Sequence, residues 1–96
     1  MAIKAVVELT AKPGRRAELA SLLEGMVQQG AGQPGFLGST RFEVLDQPDV
    51  LIEIADWESA DARATHMQES AATGAYAPLL ELLAAPFRVT LIQQMT

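Results

Sequence analysis

Apolar residues recur along the chain first at every second position, then at every third or fourth, and the two periods alternate. From Ile3 to Ala11 the period is that of a strand: Ile3, Ala5, Val7 and Leu9 fall on one face. Lys4, Glu8 and Thr10 fall on the other, together with Val6. Pro13-Gly14 interrupts this pattern and predicts a turn. From Arg15 the period becomes helical, with Leu19, Leu22, Leu23, Met26 and Val27 in one stripe. Arg16, Glu18, Ser21, Glu24 and Gln28 occupy the opposite, solvent-facing side. Gly30, Gly32, Pro34 and Gly35 end the helix and supply a loop.

Alternation returns from Phe36 to Leu45, where Thr40, Phe42 and Val44 oppose Ser39, Arg41 and Glu43. Asp46-Gln47-Pro48-Asp49 is of hairpin length, so Val50 to Trp57 is expected to run antiparallel to this strand. Leu51, Glu53, Ala55 and Trp57 share one of its faces. Ser59 is a suitable helix N-cap, with Asp61 in the first turn to complement the helix dipole. A helix over Ser59 to Glu69 should give way to a soft joint at Ser70 to Gly74. A shorter helical piece from Tyr76 to Leu83 carries Tyr76, Leu79, Leu80 and Leu83 on one stripe, and Pro86 stops it. Phe87 to Gln94 is the last predicted strand.

The order β-α-β-β-α-β defines an α+β, ferredoxin-like plan: a four-stranded antiparallel sheet with its helices on one face. One domain over residues 1–96 accounts for the chain. The helix-free face is left with exposed Val, Ile, Leu and Phe, which marks an interface. A homodimer joined through these sheet faces is therefore expected.

Composition narrows the function classes. At 49% hydrophobic residues the chain is globular, although only 5% are aromatic. The absence of cysteine excludes disulfides, thiolate metal sites and a Cys nucleophile, and one His excludes a multi-histidine metal site within one chain. A formal charge of −5 with scattered basic residues argues against nucleic acid. No apolar run approaches the ~20 residues of a membrane span, and no signal-peptide hydrophobic region opens the chain, so a cytoplasmic location is expected.

Aromatic and proton-active chemistry converges on one stretch, Leu51 to His66, in which a strand ends at the only Trp and a helix carries the only His. Three landmarks fall in order: Lys12-Pro13-Gly14, then Gln33-Pro34-Gly35-Phe36-Leu37-Gly38, then Trp57-Glu58-Ser59 with His66. With these features the chain resembles the antibiotic biosynthesis monooxygenase family of the dimeric α+β barrel superfamily. The resemblance implies a monooxygenase that oxidises a small phenol, quinol or polyketide-like aromatic with molecular oxygen, using no metal or flavin cofactor. It implies that Trp57 stacks on the substrate or donates its N–H, and that His66 takes the phenolic proton.

Departures from the family pattern carry information too. The haem-degrading branch uses an Asn on its first strand; aligned on Gly14, that position is Val7, and the chain has no Asn. Haem degradation is therefore not expected. Anthrone oxygenases place an Asn four residues before the Trp and a Tyr shortly after it, where this chain has Glu53 and Arg63. With Tyr76, these two complete the candidate substrate contacts. Glu53 either pairs with Arg41 across the hairpin or lines a wet pocket. The alternative to an enzyme is a non-catalytic dimeric module that binds a small hydrophobic ligand, its cavity filled or His66 turned to solvent.

Overall fold

The computed structural model describes residues 2–30 and 32–95. The elements follow the predicted order: β1 (Ile3–Thr10), α1 (Arg16–Gly30), β2 (Phe36–Glu43), β3 (Val50–Trp57), α2 (Ala60–Thr73), α3 (Ala77–Leu82) and β4 (Arg88–Ile92). The strands form one antiparallel sheet in the order β2-β3-β1-β4. In register, Val7 of β1 stands between Glu53 of β3 and Val89 of β4, and Ile3 stands opposite Trp57. The α+β ferredoxin-like plan is thus the observed fold.

Side-chain alternation decides what each face carries. Ile3, Ala5, Leu9, Leu51, Ala55 and Trp57 point to the helices and are buried. Two clusters result. Leu9, Ala11 and Leu51 pack with Leu19 and Leu23 of α1 and with Leu79, Leu82 and Leu83 around α3. Ile3, Ala5, Ala55 and Trp57 pack under α2, joined by Phe36, Ala62 and Met67. Leu9 and Leu19 are sealed at 1% and 0% exposure, where truncation to Ala costs about 2–5 kcal/mol.

The opposite, helix-free face carries Val6, Ile52, Ile54, Phe42 and Ile92, with Phe42 and Ile92 half exposed at 50% and 43%. The exposed apolar face expected from the pattern is present. β4 is exposed along its whole length, including Val89 and Leu91 on the helix side. Among the described residues no helix is long and apolar enough to cross a membrane.

Three local features differ from the sequence expectation. The helix predicted to stop at Glu69 runs on to Thr73, so the soft joint expected at Ser70 to Gly74 is helical up to Thr73. Its run of Ala and polar residues contains no breaker before Gly74. That glycine, in the left-handed conformation, returns its N–H to the helix carbonyls and ends it. In β2 the register shifts between Phe36 and Gly38, leaving Leu37 as the bulged residue. The bulge resets the alternation, so Phe36 joins Ser39 and Arg41 on the helix side. Arg16, assigned to the solvent side of α1, instead reaches the β2–β3 hairpin. Its Nη1 donates to the carbonyls of Val44, Gln47 and Val50 at 3.2–3.3 Å, and its Nη2 meets Glu43.

Candidate active site

The site is built where β3 hands over to α2. Ser59 caps the helix, its hydroxyl accepting from the Ala62 N–H at 3.1 Å, with extended backbone at the cap itself. This fixes the direction in which α2 leaves Trp57. Arg63, His66, Met67 and Ser70 then follow at helical spacing on one stripe. The stripe lies close to the sheet because Gly35 permits it. A Cβ on Gly35 would stand 2.5 Å from the Ala62 Cβ, and its φ of +83° is one that L side chains rarely adopt. The Gly35 carbonyl accepts from the Glu58 N–H at 2.8 Å, tying the loop to the start of α2.

Between this stripe, α1 and the sheet lies a cavity of about 130 Å³. That is close to the ~150 Å³ of apolar cavities that take up a benzene ring. Its floor is Ala5, Val7, Leu9 and Ala55 of the sheet, and Leu23, Met26 and Val27 of α1 form one wall. Phe87 and Val89, more than a third exposed, stand at its open side beside β4. All five residues singled out in the sequence line it: Trp57, His66, Glu53, Arg63 and Tyr76. A mostly apolar concavity with a few convergent polar groups is the general form of a small-molecule site.

Trp57 is 3% exposed and has two rings against it. Phe36 lies at 5.1 Å between centroids, tilted by 59°, and His66 at 5.2 Å, tilted by 41°. The indole is therefore a tightly packed part of the cavity wall. Among the described residues its N–H has no hydrogen-bond partner. His66 is half-buried, and its Nε2 lies 3.5 Å from the Ser70 hydroxyl, at the limit of a hydrogen bond. The Tyr76 hydroxyl donates to the Met67 sulfur at 3.3 Å, so this residue is both core edge and cavity wall. Arg63 forms no ion pair with the described residues.

Glu53 sits on the same strand face as Trp57, about 13 Å away along the strand. Arg41 stands directly opposite it in register. The expected ion pair is loose, with Arg41 Nη1 3.7 Å from Glu53 Oε2, because Glu24 of α1 also claims the guanidinium and Nη1 donates to Ser39 Oγ. Glu53 Oε2 is buried without a hydrogen-bond partner. Burial pushes the Glu53 carboxyl above its ordinary value, and the nearby Arg41 offsets only part of that rise. Of the two sequence readings of Glu53, the structure keeps both: a partner cation and a place on the cavity wall. Among the described residues no group of three or more His, Cys, Asp and Glu side chains comes together to hold a metal ion.

A family model described as antibiotic biosynthesis monooxygenase matches residues 2–77. The fold is similar to that of a Bordetella bronchiseptica protein named for the same family, with a TM-score of 0.86 at 21% identity over 99% of this chain and 98% of that one. It is also similar to SnoaB, a cofactor-independent oxygenase from Streptomyces nogalater, with a TM-score of 0.84 at 22% identity over 99% and 94%. A conserved protein from Methanosarcina mazei aligns with a TM-score of 0.84 at 17% identity, over 99% and 94%. At such identities the likeness is one of fold. No curated protein matches the sequence.

Proposed function

The chain belongs to the antibiotic biosynthesis monooxygenase family, and from that premise we propose that it is a cofactor-independent monooxygenase acting on a small phenol or quinol. The observation that carries the reading is the apolar cavity under α2, walled at one end by the Trp57–His66 pair and at the other by Glu53. Its size admits a single aromatic ring, and a larger ring system would project through the opening beside β4.

The chemistry needs little from the protein beyond this. A base on the wall takes the phenolic proton, and both His66 and Glu53 are within the lining. The electron-rich phenolate passes an electron to molecular oxygen, and the radical pair recombines to a peroxide. Loss of water from the peroxide leaves the quinone, so one oxygen atom enters the product and the other leaves as water. The His66 ring and the Trp57 N–H are suited to donate hydrogen bonds to the developing oxyanion. The apolar walls exclude bulk water and strengthen those bonds.

The active unit in this reading is a homodimer joined through the helix-free sheet faces, which covers Phe42, Ile52, Ile54 and Ile92. The test of function is oxygen uptake by purified, chelator-treated protein with a panel of phenols, quinols and anthrones. Turnover of at least one substrate, lost on blocking the cavity with Ala5→Trp, supports the reading. No uptake with any substrate, from a folded dimer that still binds aromatics, favours a non-catalytic binding module.

A further inference from the structure

Glu53 is the least explained group in the core region. Its side chain is 15% exposed, in a cavity that the apolar Val7, Ala55, Leu23 and Met26 also line. A carboxylate so placed ordinarily has a paired cation or several donors. Here the cation across the ladder from it, Arg41, is shared. Arg41 pairs with Glu24 of α1, donates to Ser39, and stays 3.7 Å from Glu53 Oε2, beyond hydrogen-bond length. Glu53 Oε2 is buried, and among the described residues it has no hydrogen-bond partner.

We propose that Glu53 is the proton acceptor of this site: it takes the phenolic proton, while Arg41, held back by Glu24, positions the carboxylate without neutralising it. The proposal rests on the cavity being a phenol site. In the step, the phenol O–H bond breaks and an O–H bond forms on Glu53. The electron pair stays on the phenolic oxygen. The negative charge thus moves from carboxylate to phenolate, and the total charge in the cavity does not change. With His66 as acceptor, a neutral imidazole and a neutral phenol would have to become two separated ions within apolar walls, at a desolvation cost to both. His66 also already faces the Ser70 hydroxyl and lies against the Trp57 ring. Glu53 has only the distant Arg41 guanidinium, 3.7 Å from its Oε2.

The groups that face Glu53 determine how it titrates. β2 brings Arg41, with Glu24 of α1 behind it, and α2 brings Arg63 and His66 to the same cavity. The Tyr76 hydroxyl is turned to Met67, and β1 and β4 line the cavity with the apolar Ala5, Val7, Leu9 and Val89 alone. Burial raises the carboxyl against the weaker pull of Arg41, which brings it closer to the range of a useful base near neutral pH.

The probe is 4-nitrophenol, whose absorption reports its own ionisation, with Glu53→Gln as the variant. At a pH where the free probe is a phenolate, binding to the unmutated protein should take up a proton, because phenolate and carboxylate cannot share the cavity unprotonated. Calorimetry in buffers of different ionisation enthalpy measures that uptake, and the Glu53→Gln protein should show none. A protonated-carboxyl band should appear in the infrared difference spectrum of the unmutated protein on binding, a readout that needs no variant to fold. In oxygen uptake, Glu53→Gln should lower kcat/KM by ~10²–10⁴-fold and remove the acidic limb of its pH profile, while His66→Ala keeps that limb. Unchanged proton uptake in Glu53→Gln, or no carboxyl band, would overturn the assignment. Glu53-dependent proton uptake without any oxygen consumption would uphold it and set aside the monooxygenase reading alone.

Discussion

Arg41 stands directly across the β2–β3 ladder from Glu53, yet its guanidinium pairs with Glu24 and leaves the Glu53 carboxylate at 3.7 Å. The raised Glu53 carboxyl has a consequence for stability. The folded state binds this proton more tightly than the unfolded chain, whose ordinary value is 4.5. The stabilisation from the protonated form is complete below that value and is lost as pH rises through the higher folded value. Glu53→Gln removes the loss. Urea melts should show the variant gaining on the unmutated protein as pH rises from 4 towards neutral, roughly where linkage acts. A difference that shrinks with rising pH would contradict the burial argument.

The helix-free sheet face should hold two copies together. Phe42, Ile52, Ile54 and Ile92 form an apolar surface that a monomer leaves in water. Stable dimers of this kind bury roughly 2,000 Å² or more. Sedimentation should give twice the 10.3 kDa of the chain. Ile54→Lys should shift it to monomer. A monomeric unmutated protein at micromolar concentration would remove the proposed dimer.

Gly35 sets the spacing between α2 and the loop before β2. Gly35→Ala meets the Ala62 Cβ at 2.5 Å and must hold a left-handed φ. Strain of this type costs about 1–3 kcal/mol, and relief of it pushes α2 outward. Thermal melting should fall by several degrees, and aromatic ligands should bind more weakly. An unperturbed melting temperature would show that the loop yields without moving the helix.

The alternation of apolar residues was enough to read the strands, the helix stripes and the topology, because burial enforces both periods. What escaped was set by contacts between segments far apart in sequence. Arg16 looked like a solvent-facing residue of α1 because nothing local marks the hairpin carbonyls it reaches. Phe36 joined the Trp57 cluster only through the bulge at Leu37, which reverses the alternation of β2. The end of α2 is not legible locally, because a run of Ala, Ser and Thr is compatible with either helix or joint, and Gly74 alone decides it. For the site, Glu53 and Trp57 were visible on one strand face, and His66 as the only His, on the helix that follows. The competition of Glu24 for Arg41 was not, since α1 and β2 meet only in the folded chain.

Trp57 packs between Phe36 and His66, and in the proposed reaction its N–H donates to the oxyanion; two substitutions separate these. Trp57→Ala removes the ring between Phe36 and His66 and should cost about 3–5 kcal/mol of stability. Trp57→Phe keeps most of the ring contact and loses the N–H, so it should stay folded and dimeric with a reduced kcat. Equal losses of stability in the two variants would mean that the ring is not packed as described.

The most direct measurement is oxidation of a small quinol or phenol by chelator-treated protein under isotopically labelled dioxygen, with the product mass read by mass spectrometry. The account predicts one labelled oxygen atom per product, formation proportional to protein concentration, and loss of turnover in Glu53→Gln and in the cavity-blocked Ala5→Trp protein. Product whose new oxygen comes from water, or turnover that both variants retain in full, would contradict it.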